Sequence, residues 1–475
     1  MSTTSQARGR IDALLDENSF IEIGARVKAR STDFNLAQTD TPSDGVITGY
    51  GVIDGNLVYV YAQDASVLGG SIGEMHAKKI VRLYELAVKT GAPVIALIDS
   101  AGMRLQEGAD ALQAFGEIYL QQVNASGVVP QIAGIFGNCG GGLSVLSSLC
   151  DFTLMEEKNA KLFLNSPNAL DGNYTEKCDT AAAAFQAEEA GSVDFVGGEA
   201  EVLAEIRHLV TLLPSNNEAD DAFEECADDL NRACEGLDGA AADPALFFTM
   251  ISDGGEFFET KRAYARDMVT GFIRLNGATV GAIGNRTALF DENGKETEKF
   301  DAVLSFRGAE KAADFVKFCD AFDIPVLSVT NVKGFKSCMC NEKRLPRALA
   351  SLTAAFAGAT VPKINVVTDK AYGSAAVIMN SQALGADLVI AWPDAEIGTM
   401  DANTAAKILC AGDAGAQADC AKAYAAKQTS VQGAAERGYV DEIVEPADTR
   451  KYIIGALEML YTKRDDRPAR KHSAV

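Results

Sequence analysis

The 475-residue sequence predicts an α/β fold made by tandem duplication of one domain. Three observations predict it: motifs repeated at one offset, short β-branched runs alternating with helical patterns, and a glycine loop at the same place in each half. "GAPVIALIDSAG" from Gly91 pairs with "DIPVLSVTNVKG" from Asp323, matching Pro93 to Pro325, Asp99 to Asn331 and Gly102 to Gly334 at an offset of 232 residues. The same offset carries Pro130 onto Pro362 and Gly141 onto Gly373. One ungapped offset shared by several motifs marks a duplication.

The elements follow in order. In the first half, "EMHAKKIVRLYELAVKT" has apolar residues at helical spacing and leads into "PVIALID", short and β-branched enough for a buried strand. An uncharged helical stretch, a second buried run after Pro130, the loop "GNCGGG" and the apolar helix "GLSVLSSL" come next. The second half repeats this with "GAEKAADFVKFCDAF", "PVLSVTN", the run after Pro362, the loop at Gly373 and "SAAVIMNSQAL". Such alternation gives buried, largely parallel strands. The uncharged run from Val128 to Cys150 is long enough for a membrane span, but Pro130, Gln131, Asn138 and five glycines make it strand, loop and helix instead. The acidic segment Leu213 to Pro244 reads as a solvated helix-and-loop connection, with domains at 1–235 and 236–475.

Composition excludes several function classes. A formal charge of −23 repels nucleic acid and anionic membrane, and any anionic ligand needs a local basic or amide-rich site. Ten cysteines include one close pair, Cys338 and Cys340, and the only histidines are His76, His208 and His472, so no metal site is expected. The opening residues carry charge where a secretory signal would be apolar, so the expectation is a cytoplasmic protein with free thiols.

The glycine loops carry the chemistry. At a strand-to-helix junction the first amides have no partner within the helix, and small residues let a ligand oxygen reach them. That geometry suits a bound anion or a developing oxyanion. Two matched loops suit a reaction of two carbonyl compounds, each passing through an enolate. The first loop is neither G-x-G-x-x-G nor a P-loop, and Ser144 has no histidine motif to complete a triad. In "DSAGMRLQEGADAL", Arg104 can pair with Asp99, Glu107 or Asp110. Glu107 and Asp110 are also the nearest carboxylates for an isomerase, hydratase or hydrolase acting on a CoA thioester.

"RGRIDALLDENSFIEIG", "DGVITGYGVIDGNLVYVYAQD", "LGGSIGEMHAKKI", "ATVPKINVVTDKAYGSAAVIMNSQALGADLVIAWPDAEIG" and the tail "RPARKH", in this order, resemble the carboxyltransferase subunits of biotin-dependent acyl-CoA carboxylases and decarboxylases. The resemblance implies a crotonase-like fold in each half, with acyl-CoA on the side of 1–235 and biotin on the side of 236–475. It implies carboxyl transfer between biotin and an acetyl-, propionyl/methylmalonyl- or glutaconyl-CoA type of thioester, without metal. It places one oxyanion hole at Gly141 and Gly142, with Ala101 and Gly102 nearby, and another at Ser374 and Ala375. Further substrate contacts fall at Gly70, Arg104, Gly140, Gly373, Ala376 and Val377.

The sequence departs from the family pattern at several points. Ser374 stands where the family has glycine, which would strain a left-handed backbone. Ala376 replaces an aromatic residue, and Val377 follows at an acyl-pocket position. Lys333 replaces a proline, and Lys333, Lys336, Lys343 and Arg344 offer a basic patch to a phosphate. The chain has no biotinyl-lysine or ATP-binding motif, so the resemblance implies a separate biotin carboxyl carrier protein. It also implies a biotin carboxylase or membrane decarboxylase partner, and a homodimer or a hexamer built as a trimer of dimers. The alternative is a degenerate subunit that scaffolds the carrier without turnover.

Overall fold

A computed structural model describes residues 5–30, 39–173, 178–220, 222–291, 293–412 and 415–465. It divides between Ala222 and Phe223 into two units. The tail motif "RPARKH" lies outside the described residues.

In chain order the first unit has α1 (Gln6–Leu14), β1 (Ile21–Ile23), β2 (Val46–Ile53), β3 (Asn56–Gln63), α2 (Glu74–Thr90), β4 (Val94–Ser100), α3 (Gly108–Ala125), β5 (Gln131–Gly140), α4 (Gly142–Ser148), β6 (Phe152–Glu156), β7 (Lys161–Phe163), β8 (Phe195–Gly197) and α5 (Glu199–Leu212). Its sheet runs β1-β2-β3-β4-β5-β6-β8, with β7 also on β5. The β1–β2 and β2–β3 pairs are antiparallel and every other pair is parallel. Strand β4 is buried almost throughout and β5 from Gln131 to Phe136, which explains their continuous apolar runs. Helix α2 buries Ala77, Ile80, Leu83, Tyr84 and Ala87, the stripe visible in its sequence.

The second unit has α6 (Pro244–Ile251), β9 (Phe257–Thr260), β10 (Met268–Leu275), β11 (Ala278–Asn285), the hairpin β12 (Ala288–Phe290) and β13 (Glu296–Lys299), α7 (Phe306–Ala321), β14 (Val326–Val332), α8 (Met339–Gly358), β15 (Lys363–Tyr372), α9 (Gly373–Ile378), β16 (Leu388–Ala391), β17 (Glu396–Gly398), α10 (Ala402–Leu409), α11 (Gln417–Tyr424), α12 (Val431–Glu436), β18 (Glu442–Ile443) and α13 (Thr449–Leu460). Its sheet runs β9-β10-β11-β14-β15-β16-β18, with β17 on β15, the topology of the first unit strand for strand.

The duplication extends into buried polar contacts that no short motif displays. The Ile72 N–H donates to the Gly102 carbonyl at 2.8 Å and the Arg104 N–H to that of Ile72 at 2.9 Å; Leu304, Gly334 and Lys336 repeat the pair at 3.0 and 2.9 Å. Asp194 accepts from the Thr153 N–H at 2.9 Å, as Asp441 does from Val389 at 2.7 Å. Lys79 and Lys311 are likewise equivalent, each buried and donating to backbone carbonyls. Lys311 Nζ reaches the carbonyls of Lys261, Tyr264 and Met268 at 2.9, 3.0 and 2.8 Å.

Burial pushes the Lys311 pKa down to about 7, against 10.5 for a free lysine. Above about 7 the unfolded state therefore keeps a proton on this lysine that the folded state has lost, so the contribution of Lys311 to stability rises with pH toward 10.5. Between about pH 7 and pH 9 the urea midpoint of the wild type is expected to gain relative to that of Lys311→Met, because only the wild type carries this lysine.

Two sequence expectations need correction. The segment from Leu213 to Asp243 contains no α-helix among its described residues, only a 3₁₀ turn at Leu237–Ala240. It is partly core: Cys234, Leu237 and Ala240 join the second unit's apolar cluster. The Glu224 N–H donates to the Gly277 carbonyl at 2.9 Å and the Cys234 N–H to that of Ala447 at 2.8 Å, so the part of the segment from Glu224 onward is pinned to the second unit. The division at 222/223 accordingly falls before the expected 235/236. Nor are all the thiols free: Cys410 and Cys420 form a disulfide, because α10 and α11 bring their Cα atoms to 6.8 Å. None of the described helices is long and apolar enough to cross a membrane.

Candidate active site

In the first unit the glycine loop lies where β5 passes into α4, next to the end of β4. This is the carboxyl end of parallel strands, where α/β sheets bind ligands. Each of its three glycines has its own reason. A Cβ on Gly140 would lie 2.6 Å from the Phe163 ring. Gly141 has φ +61° and ψ −128°, which side chains other than glycine do not adopt. A Cβ on Gly142 would lie 2.8 Å from the Tyr119 hydroxyl, which itself donates to the Gly142 carbonyl at 2.7 Å.

Counting amide donors narrows the expected hole. The Gly141 N–H is taken by the Phe163 carbonyl at 2.9 Å, because β7 continues the ladder past Gly140. The Ala101 N–H goes to the Gly69 carbonyl at 2.8 Å, and the Gly102 N–H to Ser100 Oγ at 3.1 Å. Of the four expected donors, only the exposed Gly142 amide has no acceptor among the described residues. Gly141 shapes the turn and Ala101 and Gly102 support it. Gly70 also supports it: its carbonyl accepts from Ser100 Oγ at 2.7 Å, and a Cβ there would lie 2.4 Å from the Asp99 carbonyl.

Arg104 is not open to a substrate. Its side chain is fully buried, with Nη1 on Asp44 Oδ1 at 2.7 Å and on Glu107 Oε1 at 2.8 Å, and Nη2 on the Ser71 carbonyl at 2.7 Å. The other oxygen of Glu107 accepts from the Glu74 N–H at 2.6 Å. Burial pushes the Asp44 carboxyl up while the Arg104 guanidinium pulls it down. Asp99 pairs instead with Arg10 at 3.4 Å, and Asp110 with Arg30 at 2.7 Å. His76 is equally occupied: its Nε2 can only accept from the Gln63 amide at 3.3 Å, so Nδ1–H donates to the Asp44 carbonyl at 3.0 Å. Burial holds His76 at about 3, hence neutral. The carboxylates an isomerase or hydratase would need are therefore committed to ion pairs.

In the second unit the matching junction lies between β15 and α9. The left-handed residue is Gly373, at φ +60°, while Ser374 has negative φ. The strain expected at Ser374 is therefore absent, because the turn is made one residue earlier. The N–H groups of Ser374 and Ala375 both lack an acceptor among the described residues, so this junction offers two neighbouring donors. Ala376 packs against the apolar cluster around Val367 and Ala371, and the Val377 side chain is 44% exposed. Tyr372, at the strand end, hydrogen-bonds Glu396; burial and that carboxylate push the phenol pKa up. Ser374→Gly is expected to change kcat less than about threefold, since neither φ nor the amide depends on the side chain; steady-state kinetics of the pair checks this.

Lys333, Lys336 and Lys343 are exposed and have no ion-pair partner among the described residues, whereas Arg344 pairs with Glu310 at 3.4 Å and lies 4.4 Å over the Phe306 ring. Sequence reasoning missed Tyr119 and Glu396. Each meets its loop from another element, so no local spacing signals it.

The family model for the carboxyl transferase domain matches residues 4–475. The chain is 39% identical to the methylmalonyl-CoA decarboxylase subunit alpha of Veillonella parvula, over 99% of this chain and 92% of that one. It is 38% identical to the propionyl-CoA carboxylase beta chain of Roseobacter denitrificans, over 99% and 93%. Among solved structures, a transcarboxylase 12S hexamer with methylmalonyl-coenzyme A and methylmalonic acid bound superimposes with a TM-score of 0.91 at 37% identity, covering 98% of this chain and 92% of that one.

Proposed function

The chain belongs to the carboxyl transferase family, and from that premise we propose which thioester, carrier and backbone donors it uses. It is an enzyme that moves a carboxyl group between biotin and an acyl-CoA, on two crotonase-like units. Its thioester is of the propionyl/methylmalonyl type. The observation behind that choice is the end-to-end likeness to the 12S transcarboxylase, whose structure holds methylmalonyl-coenzyme A.

In this reading the Gly142 amide receives the thioester oxygen as charge develops on it when the α-carbon becomes nucleophilic. The loop reaches that oxygen because residues 140–142 have no side chains and Tyr119 fixes the following peptide. The Ser374 and Ala375 amides receive the ureido oxygen. Two adjacent donors with no acceptor among the described residues, followed by the small Ala376, fit that group. Biotin, when bound, supplies the carboxyl group from its ureido ring. The 1–222 unit thus serves the thioester and the 223–475 unit the biotin.

The biotin sits on a separate carrier protein, and the assembly is a hexamer like that of the 12S protein. A biotin carboxylase partner drives carboxylation, and a membrane decarboxylase partner drives the reverse. The negative φ of Ser374 removes one ground for a degenerate scaffold. The test is the reverse half-reaction of purified protein with free biotin and methylmalonyl-, malonyl- or glutaconyl-CoA, followed by chromatography. Biotin-dependent loss of methylmalonyl-CoA fastest is expected. A faster loss of another thioester overturns the acyl assignment, and no turnover by a folded oligomer establishes the scaffold.

A further inference from the structure

We propose that Cys338 and Cys340 form a redox-active dithiol, a modification site separate from the carboxyl-transfer residues, that anionic low-molecular-weight disulfides oxidise to an intramolecular disulfide. Their sulfurs lie 3.0 Å apart and both residues are exposed. Cys338 is the N-cap of α8 with extended backbone, φ −155° and ψ 158°, so only the first helical residues must adjust for the sulfurs to close to about 2.05 Å. Asn341, 3% exposed, is aimed at the pair. Its Nδ2 donates to Cys338 Sγ at 3.0 Å and reaches Cys340 Sγ at 3.7 Å, while its Oδ1 accepts from the Phe306 N–H at 2.8 Å. The amide is thereby held as a donor to a thiolate.

The neighbouring thiol and then the Asn341 amide hold the Cys338 pKa down at about 7, so much of it is thiolate at neutral pH. Burial does the opposite at Cys139, pushed up to about 12. The segment from Lys333 to Arg347 adds Lys336, Lys343, Arg344 and Arg347 against one acid, Glu342, in a chain of net charge −23. This local positive charge favours an anionic oxidant such as glutathione disulfide.

The Cys338 thiolate attacks one sulfur of RSSR, forming a Cys338–S–S–R mixed disulfide and releasing RS⁻. Cys340 loses its proton to solvent and attacks the Cys338 sulfur, closing the ring and releasing a second RS⁻. The dithiol loses two electrons and RSSR gains them.

The test incubates the whole chain with glutathione disulfide, blocks remaining thiols with N-ethylmaleimide, and maps the tryptic peptide 337–343, which holds both cysteines. The expected result is a peptide lacking both labels and lighter by two hydrogens, restored by dithiothreitol. Cys340→Ser is expected to stop at the glutathione adduct on Cys338, and Cys338→Ser to lose both products. Two maleimide labels on the wild-type peptide at high glutathione disulfide, or a persistent wild-type adduct without ring closure, would overturn the proposal. Neither result depends on turnover, so failure here is distinguishable from failure of the carboxyltransferase reading.

Discussion

Gly142→Pro is expected to lower kcat for carboxyl transfer by about 10²–10³ relative to Gly142→Ala. The two variants share the added Cβ, and the proline ring additionally replaces the amide hydrogen. Both variants place a Cβ 2.8 Å from the Tyr119 hydroxyl and 3.3 Å from Phe115 Cε1, so both disturb the same packing. Proline is tolerated at the first position of a helix, where its missing N–H closes no intrahelical bond. Only the proline variant removes the donor. Because the partner amides of Gly141, Ala101 and Gly102 are already spent within the protein, no neighbour replaces the lost bond. An oxyanion contact strengthens as charge develops, so the loss should fall on kcat more than on KM. Equal kcat values for the two variants, measured with methylmalonyl-CoA and free biotin, would remove Gly142 from the oxyanion hole.

The architecture was legible because a doubled α/β chain writes its strands as uncharged β-branched runs, and because Pro93 and Pro325, or Pro130 and Pro362, mark the same strand starts. Even the departure from glycine at Ser374 could be seen, though not its consequence. Sequence position does not say which residue of "YGSA" carries the left-handed turn, and the backbone puts it at Gly373. The same limit explains the first hole. Glycine triplets announce close approach, but whether an amide is free depends on β7 and on Ser100, which lie elsewhere in the chain. The acidic linker misled for a related reason. Charge density reports where side chains point, while Cys234 and Leu237 enter the core on a backbone held by Gly277 and Ala447. The residues around Arg104 allow both an ion pair and a substrate contact, and Asp44, its second partner, is too distant in sequence to suggest itself.

Arg104→Met is expected to destabilise the protein by about 3–5 kcal/mol, because it leaves two buried carboxylates without their shared cation. Arg104, Asp44 and Glu107 are all fully buried, and the cluster is so tight that a Cβ on Gly73 would lie 2.3 Å from Glu107 Oε1 and 2.5 Å from Arg104 Nη1. A methionine fills similar volume, so lost packing contributes little and lost charge compensation dominates. The pH dependence separates the two. Without the guanidinium, burial raises the folded-state Asp44 pKa further above its free value of 3.8. A group raised on folding contributes its stability below the unfolded pKa and loses it as pH rises through the folded one. The deficit relative to wild type should therefore be largest near neutral pH and shrink on acidification. Urea unfolding at about pH 5 and about pH 8 measures it. A variant that keeps wild-type stability but shows a raised KM for the thioester would instead make Arg104 a substrate contact, and would mean that the buried cluster opens when substrate binds.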